Sequence, residues 1–327
     1  MKSEQGKIPP PPGLIASFMA GFDAIANNIP VIILPVILDL FLWLGPHLRL
    51  KQLIEPLIGQ FSILTAPDSS IALEPALVQE IWTQSLDHFN LFAILRTFPV
   101  GIASLMSGRM PIQTPFGAPV NIEVGSFFNA LGWWLLLVIC GWIIGGLYFH
   151  WVSGVALKPP KRSLSQSLKQ AVLLSVIWLA LLLIFGLPAF LVFSILTLIN
   201  PLLAEIVLLI FALLSLWLVL PVFFSPHGIF TYQQNAWLAI LNSLRMTRFT
   251  LPTSSLFLLS TIIISQGLDF LWRTPQENSW LTLIGIAGHA FISTAILATS
   301  FIYYRDVNAW LQVVTDQLKR QTTSARA

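Results

Sequence analysis

The sequence predicts an all-α fold: a polytopic membrane bundle of about six transmembrane helices with amphipathic helices along the interface. Three observations predict it. Of 327 residues, 56% are hydrophobic and 9% charged, against about 25% charged in soluble domains. The apolar residues gather into runs long enough to cross about 30 Å of hydrocarbon, which takes about 20 helical residues. Lysines and arginines sit mainly between these runs and favour one side, the pattern by which multi-pass proteins are oriented.

Residues 1–28 read as a cytoplasmic N-terminal segment. MKSEQGKIPPPPG carries Lys2, Lys7 and Glu4, and no small-residue cleavage pattern follows the first apolar run, so no cleaved signal peptide is expected. Leu14, Ile15, Phe18, Phe22 and Ile25 repeat at helical spacing and predict an interfacial helix that Asn27, Asn28 and Pro30 end. Residues 29–46 form the first transmembrane helix. It contains VIILPVILDLFLWLGP, with Pro35 and the carboxylate of Asp39 inside an apolar run.

Residues 47–129 make an extracytoplasmic helical segment. Leu50, Leu53, Ile54, Leu57, Ile58 and Phe61 form one apolar stripe, and Pro75 opens a second helix carrying Leu77, Val78, Ile81, Trp82, Leu86 and Phe89. LFAILRTFPVGIASLM, residues 91–106, holds Arg96 and Pro99 and is short for a crossing. It predicts an interfacial or re-entrant helix capping the bundle. The Gly- and Pro-rich SGRMPIQTPFGAPVNIEVG then predicts an ordered loop or short hairpin.

Residues 130–306 form a five-helix transmembrane bundle with spans near 130–153, 170–199, 202–225, 251–272 and 281–304. Asn200-Pro201 is the expected turn between the third and fourth spans of the chain, because proline disfavours helix in the residue before it. Gly186 and Pro188 predict a kink, or, in a competing reading, a re-entrant break. Trp237, Ile240, Leu241 and Leu244 make an amphipathic stripe leading to Arg245 and Arg248. Residues 307–327 continue as a cytoplasmic C-terminal helix and tail.

Orientation follows from the 17 basic residues. A cytoplasmic N-terminus leaves only Arg49, Lys51, Arg96, Arg109 and Arg273 outside and the other twelve inside. Both termini are therefore expected in the cytoplasm of a cell whose cytoplasmic membrane holds the protein. Lys158, Lys161 and Arg162, with Arg245 and Arg248, are candidate ligands for lipid headgroups. The bilayer is the expected partner, with other membrane proteins beside it. The basic residues form no dense block with interleaved aromatics, so no nucleic acid is expected.

Ionisable residues inside a membrane are costly and mark functional hypotheses. Asp39, Glu205, Asp269 and His289 belong to spans one, four, five and six, and at about 1.5 Å per residue all lie within about 15 Å of the outer surface. They are a candidate proton or cation layer. The structural alternative is that each pairs locally with a neighbouring helix. A third reading makes Asp39 and Asp269 an aspartyl dyad, but QGLDF has Gln266 where intramembrane aspartyl proteases have the first glycine of GxGD.

No HExxH, GxSxG, P-loop or GxGxxG occurs, so neither catalysis, a metal nor a cofactor is expected. His47, His88, His150 and His227 are scattered and read as neutral interfacial histidines. Cys140 is the single cysteine, which leaves no intramolecular disulfide. Gly141 and Gly145, four apart in GWIIGGLYF, form a GxxxG face expected to pack another helix of the bundle.

AILNSLRMTRF, residues 239–249, places Ala239, Ser243 and Arg248 before an apolar span. With this connector, the chain from its second span onward resembles polytopic bacterial membrane proteins related to the membrane domain fused to some glycerophosphodiester phosphodiesterases. The resemblance implies architecture; the soluble catalytic domain has no counterpart here. The reading reached from sequence is a non-catalytic structural, assembly or lipid-facing component of a membrane complex, with a transporter or channel-like subunit built on the four-residue layer as the alternative.

Overall fold

The computed structural model describes residues 10–64, 75–157 and 163–324. In chain order its helices and strands are α1 (Leu14–Ala26), α2 (Ile33–Leu44), β1 (His47–Arg49), α3 (Lys51–Leu64), α4 (Pro75–His88), α5 (Met106–Arg109), β2 (Asn121–Glu123), α6 (Phe127–Leu157), α7 (Leu164–Leu181), α8 (Leu187–Ile199), α9 (Pro201–Tyr232), α10 (Ala236–Trp272) and α11 (Thr282–Ser324). The fold is all-α. Among the described residues five stretches are long and apolar enough to cross a membrane, and six where α1 and the helical stretch Ile29–Leu44 count as one broken crossing. The protein is thus a multi-pass membrane protein.

The first crossing departs from a simple span. α2 has 12 residues, about 18 Å of helix, which is shorter than the hydrocarbon. A 3-10 turn over Ile29–Ile32 separates it from α1, where Asn27 and Asn28 turn their amides back onto the carbonyls of Asp23 and Ala24. Asn200 ends α8 as expected, and its side chain accepts the N–H of Leu203 at 3.2 Å to cap α9, which has Pro201 in its first turn. Gly186 and Pro188 do not break the chain. A π turn over Leu182–Gly186 joins α7 to α8, the shifted register that accommodates a proline lacking its N–H.

The chain forms two compact units. One contains residues 1–31, 146–265 and 294–327. Its core gathers Leu220, Phe224, Met246, Phe257, Tyr303, Tyr304 and Val307. The Phe257 and Tyr303 rings stack at 4.2 Å, and Phe18 of α1 stacks on Phe257 from 5.7 Å. Such aromatic pairs contribute about 1 kcal/mol each beyond area burial. α10 is two helices joined at Thr250, whose φ of −124° and ψ of 22° leave the helical region. Pro252 explains the kink, because it removes a backbone donor and crowds the preceding turn.

The second unit contains residues 32–145 and 266–293. Here β1 and β2 pair in parallel, His47 opposite Asn121 and Arg49 opposite Glu123. Thr114 and Gly117 close a tight turn through an isolated bridge, so the Gly- and Pro-rich tail is a loop with one short strand. Phe61, Leu77 and Val78 of the apolar stripes lie in helices whose side chains fall outside the described residues.

The segment 91–106, expected as an interfacial or re-entrant helix, is not a helix. After one 3-10 turn over Leu91–Leu95 its backbone is irregular until α5. Pro99 denies a helix both its own N–H and a helical residue before it. The segment follows one face of α6 at every fourth residue: Phe92 meets the Trp133 ring at 6.2 Å, Leu91 packs in a cluster with Leu137, and Leu95 and Thr97 lie over Gly141. Finally Gly101 lies over Gly145, where an added Cβ would come within 2.7 Å of the Gly101 Cα. From Trp133 to Gly145 the descent is about 18 Å.

This corrects the reading of the GxxxG face. It does not pack a helix; it seats the irregular segment, which needs the same absence of Cβ. The backbone then turns back through α5, and Arg109 donates to the Pro275 carbonyl and lies 3.6 Å from the Glu277 carboxylate.

Candidate functional site

Asp39 lies on the last half of α2 and is 0% exposed. Pro35 is tolerated because it falls in the first turn of that helix, where backbone donors have no helical partner. One carboxylate oxygen of Asp39 accepts the Ser104 hydroxyl at 2.5 Å and the Met106 N–H at 3.0 Å; the other accepts the Leu105 N–H at 3.1 Å. Ser104 in turn accepts the Ser107 N–H at 3.0 Å. The carboxylate therefore caps α5 from another element and anchors the return limb of the irregular segment. Charge-assisted bonds of this kind contribute about 1.5–3 kcal/mol each.

Asp269 on α10 and His289 on α11 form the second polar pair, 2.7 Å between Oδ1 and Nδ1. They are 9% and 5% exposed. Arg273, one turn after Asp269, brings a guanidinium nitrogen to 4.0 Å from the other carboxylate oxygen. With Nδ1 donating to Asp269, Nε2 presents a lone pair, and Nε2 is buried with no hydrogen-bond partner among the described residues.

Of the four-residue layer, Asp39, Asp269 and His289 share one unit. Glu205 belongs to the other unit. It is an exposed residue near the start of α9; counting residues from a span end fixes depth but not the facing of a side chain. The Asp39–Asp269 dyad is corrected in the same way, since both carboxylates are engaged by donors of their own and share no hydrogen bond among the described residues.

Arg245 and Arg248 are exposed on α10, while Lys158, Lys161 and Arg162 lie outside the described residues. Among the described residues no group of three or more His, Cys, Asp and Glu is arranged to hold a metal ion.

Sequence reasoning missed the partners. Arg273 was legible as an i,i+4 neighbour of Asp269, but Ser104 and the Leu105 and Met106 amides carry no local signal of contact with Asp39. Nor was the staple at the mouth of the segment visible, where the Trp43 indole donates to the Glu277 carbonyl at 2.8 Å and the Ile112 N–H donates to the Glu277 carboxylate at 3.0 Å. No family model matches the chain, and no curated protein or solved structure matches it.

Proposed function

We propose that the protein is a transporter or channel-like subunit that admits protons or a small cation at a site built from Asp269 and His289 beside the re-entrant segment. The observation that carries this reading is the non-helical backbone of residues 96–105 lying along the middle of α6, a helix long enough to cross a membrane. Irregular backbone at membrane depth is tolerated only where protein covers it or water reaches it, and such segments build the paths of channels and transporters. His289 supplies a buried acceptor and Asp269 orients it. Asp39 is a positioning residue that holds the segment.

The orientation proposed with it has both termini in the cytoplasm and residues 47–129 outside, on the strength of the basic-residue distribution. Flux into liposomes holding the purified protein, read with a pH-sensitive dye, tests the site. Asp269→Asn and His289→Gln are each expected to slow proton flux about 100-fold, the scale of a positioned proton acceptor. Flux that is unchanged in both variants removes the mechanism.

A second reading is favoured by the saturation of Asp39. A carboxylate whose three described donors all belong to one short turn is an architectural clamp, as a structural or assembly component of a membrane complex requires. Liposomes without flux, together with a stoichiometric membrane protein that co-purifies in mild detergent, support this reading over the first.

A further inference from the structure

The first limb of α10, residues 236–249, has two faces. Ala236, Ala239, Ile240, Ser243, Met246 and Thr247 are buried, and the Ser243 hydroxyl donates to the Pro221 carbonyl at 2.6 Å, fixing the rotation of the helix on its own unit. The opposite face is exposed and apolar: Trp237 is 62% exposed, with Leu238, Leu241, Leu244 and Phe249 beside it. Arg245 and Arg248 lie three apart at the centre of that face, and among the described residues neither forms an ion pair or hydrogen bond. No acidic residue occurs from 236 to 268.

The kink at Thr250 then sends the chain into an apolar limb. A helix of about 21 Å, joined by one residue to a membrane crossing, lies at the membrane boundary. There its apolar side chains enter the acyl region while the arginines snorkel to the phosphates.

We infer that this face binds anionic phospholipid headgroups, Arg245 and Arg248 together clasping the phosphate. Charge complementarity selects the occupant: two unpaired guanidinium groups without a compensating acid favour an anionic lipid over a zwitterionic one, by about fivefold per arginine. Planar, forked donors suit phosphate oxygens. The inference is independent of the proton site, because none of its residues belongs to the unit that holds Asp269 and His289.

The full chain, reconstituted in vesicles of equal phosphatidylglycerol and phosphatidylcholine and then extracted in mild detergent, is examined by native mass spectrometry for retained lipid. Phosphatidylglycerol is expected to be enriched. R245Q/R248Q lowers the enrichment at least fivefold while R245K/R248K keeps most of it, and both side chains are exposed, so unchanged circular dichroism is expected in each. Enrichment that survives R245Q/R248Q overturns the inference. So does an acidic protein that co-purifies with the wild type and leaves with R245Q/R248Q while lipid retention stays the same, which reassigns the face to a protein partner.

Discussion

At Asp39 a single carboxylate accepts three hydrogen bonds from residues 65 to 67 positions away. Asp39→Asn keeps the shape but replaces an acceptor pair with an amide that faces donors with donors. It is expected to lower stability by about 2–3 kcal/mol, with Asp39→Ala costing more, because buried donors left without partners carry their full desolvation penalty. Thermal unfolding of the purified protein followed by size-exclusion chromatography reads the loss. Ser104→Ala removes one donor and is expected to cost about 1–2 kcal/mol.

His47 offers a titration outside the spans. Burial first, and the nearby Arg49 charge second, hold its imidazole below the ordinary value of 6.5. The unfolded chain takes up a proton at about 6.5 and the folded chain resists it, so the stability of the β1–β2 pair is full above 6.5 and falls as the pH drops from there toward the lower folded value. Amide exchange at Leu48 and Val124, corrected for intrinsic rates, is expected to accelerate between pH 7.5 and 5.5 in the wild type. His47→Gln is expected to remove that dependence.

For the elements, glycines along α6 separate contact from coincidence. An added Cβ at Gly145 meets the Gly101 backbone and one at Gly141 meets Leu95 and Thr97, whereas Gly132 and Gly154 face open space. Gly145→Ala is expected to cost about 1–3 kcal/mol through overpacking against backbone that cannot rotate away. Gly132→Ala and Gly154→Ala are expected to be neutral or to stabilise by up to about 1 kcal/mol, since alanine favours the helix. Thermal melts of the three variants compare them directly; equal effects at 145 and 132 contradict the described packing.

These elements also show what the sequence reveals and what it conceals. The crossings were legible because length and apolarity are properties of a contiguous segment, and Asn200-Pro201 was legible because its capping chemistry is local. Residues 91–106 misled for the same reason: LFAIL and the residues after it have the composition of a helix, and only the approach of α6 shows that they run as irregular backbone. Glycine spacing correctly marked close approach but not the kind of partner. The Asp269–His289 pair was half legible, as two ionisable residues at similar depth, while the distance between them depends on how α10 and α11 face one another.

On the scale of the whole molecule, the distribution of charge carries the proposed orientation. Alkaline phosphatase fused after residue 112 is expected to be active and the same enzyme fused at residue 327 inactive, because it folds only outside the cytoplasm; the opposite pattern inverts the proposed topology. The surface is unevenly committed to packing. α8 and the first half of α9 expose apolar side chains on nearly all sides, including Phe190, Ile195, Leu209 and Leu214, while Ser194, Thr197 and Ser215 return their hydroxyls to their own helix at 2.7 to 2.9 Å. Apart from Glu205 near the start of α9, these described side chains ask for no protein partner, which suits a surrounding of acyl chains.

The bond from Arg109 to the Pro275 carbonyl has a consequence for synthesis. The α8–α9 hairpin satisfies its backbone within itself and is ready for the bilayer as soon as it leaves the ribosome. The irregular segment is translated earlier but must wait. Its floor, Gly141 and Gly145, arrives some 40 residues later, and the acceptor of Arg109 at Pro275 lies 166 residues downstream. A chain arrested before residue 275 therefore lacks the acceptor of Arg109, and protease nicking near Pro99 is expected to persist until Pro275 emerges.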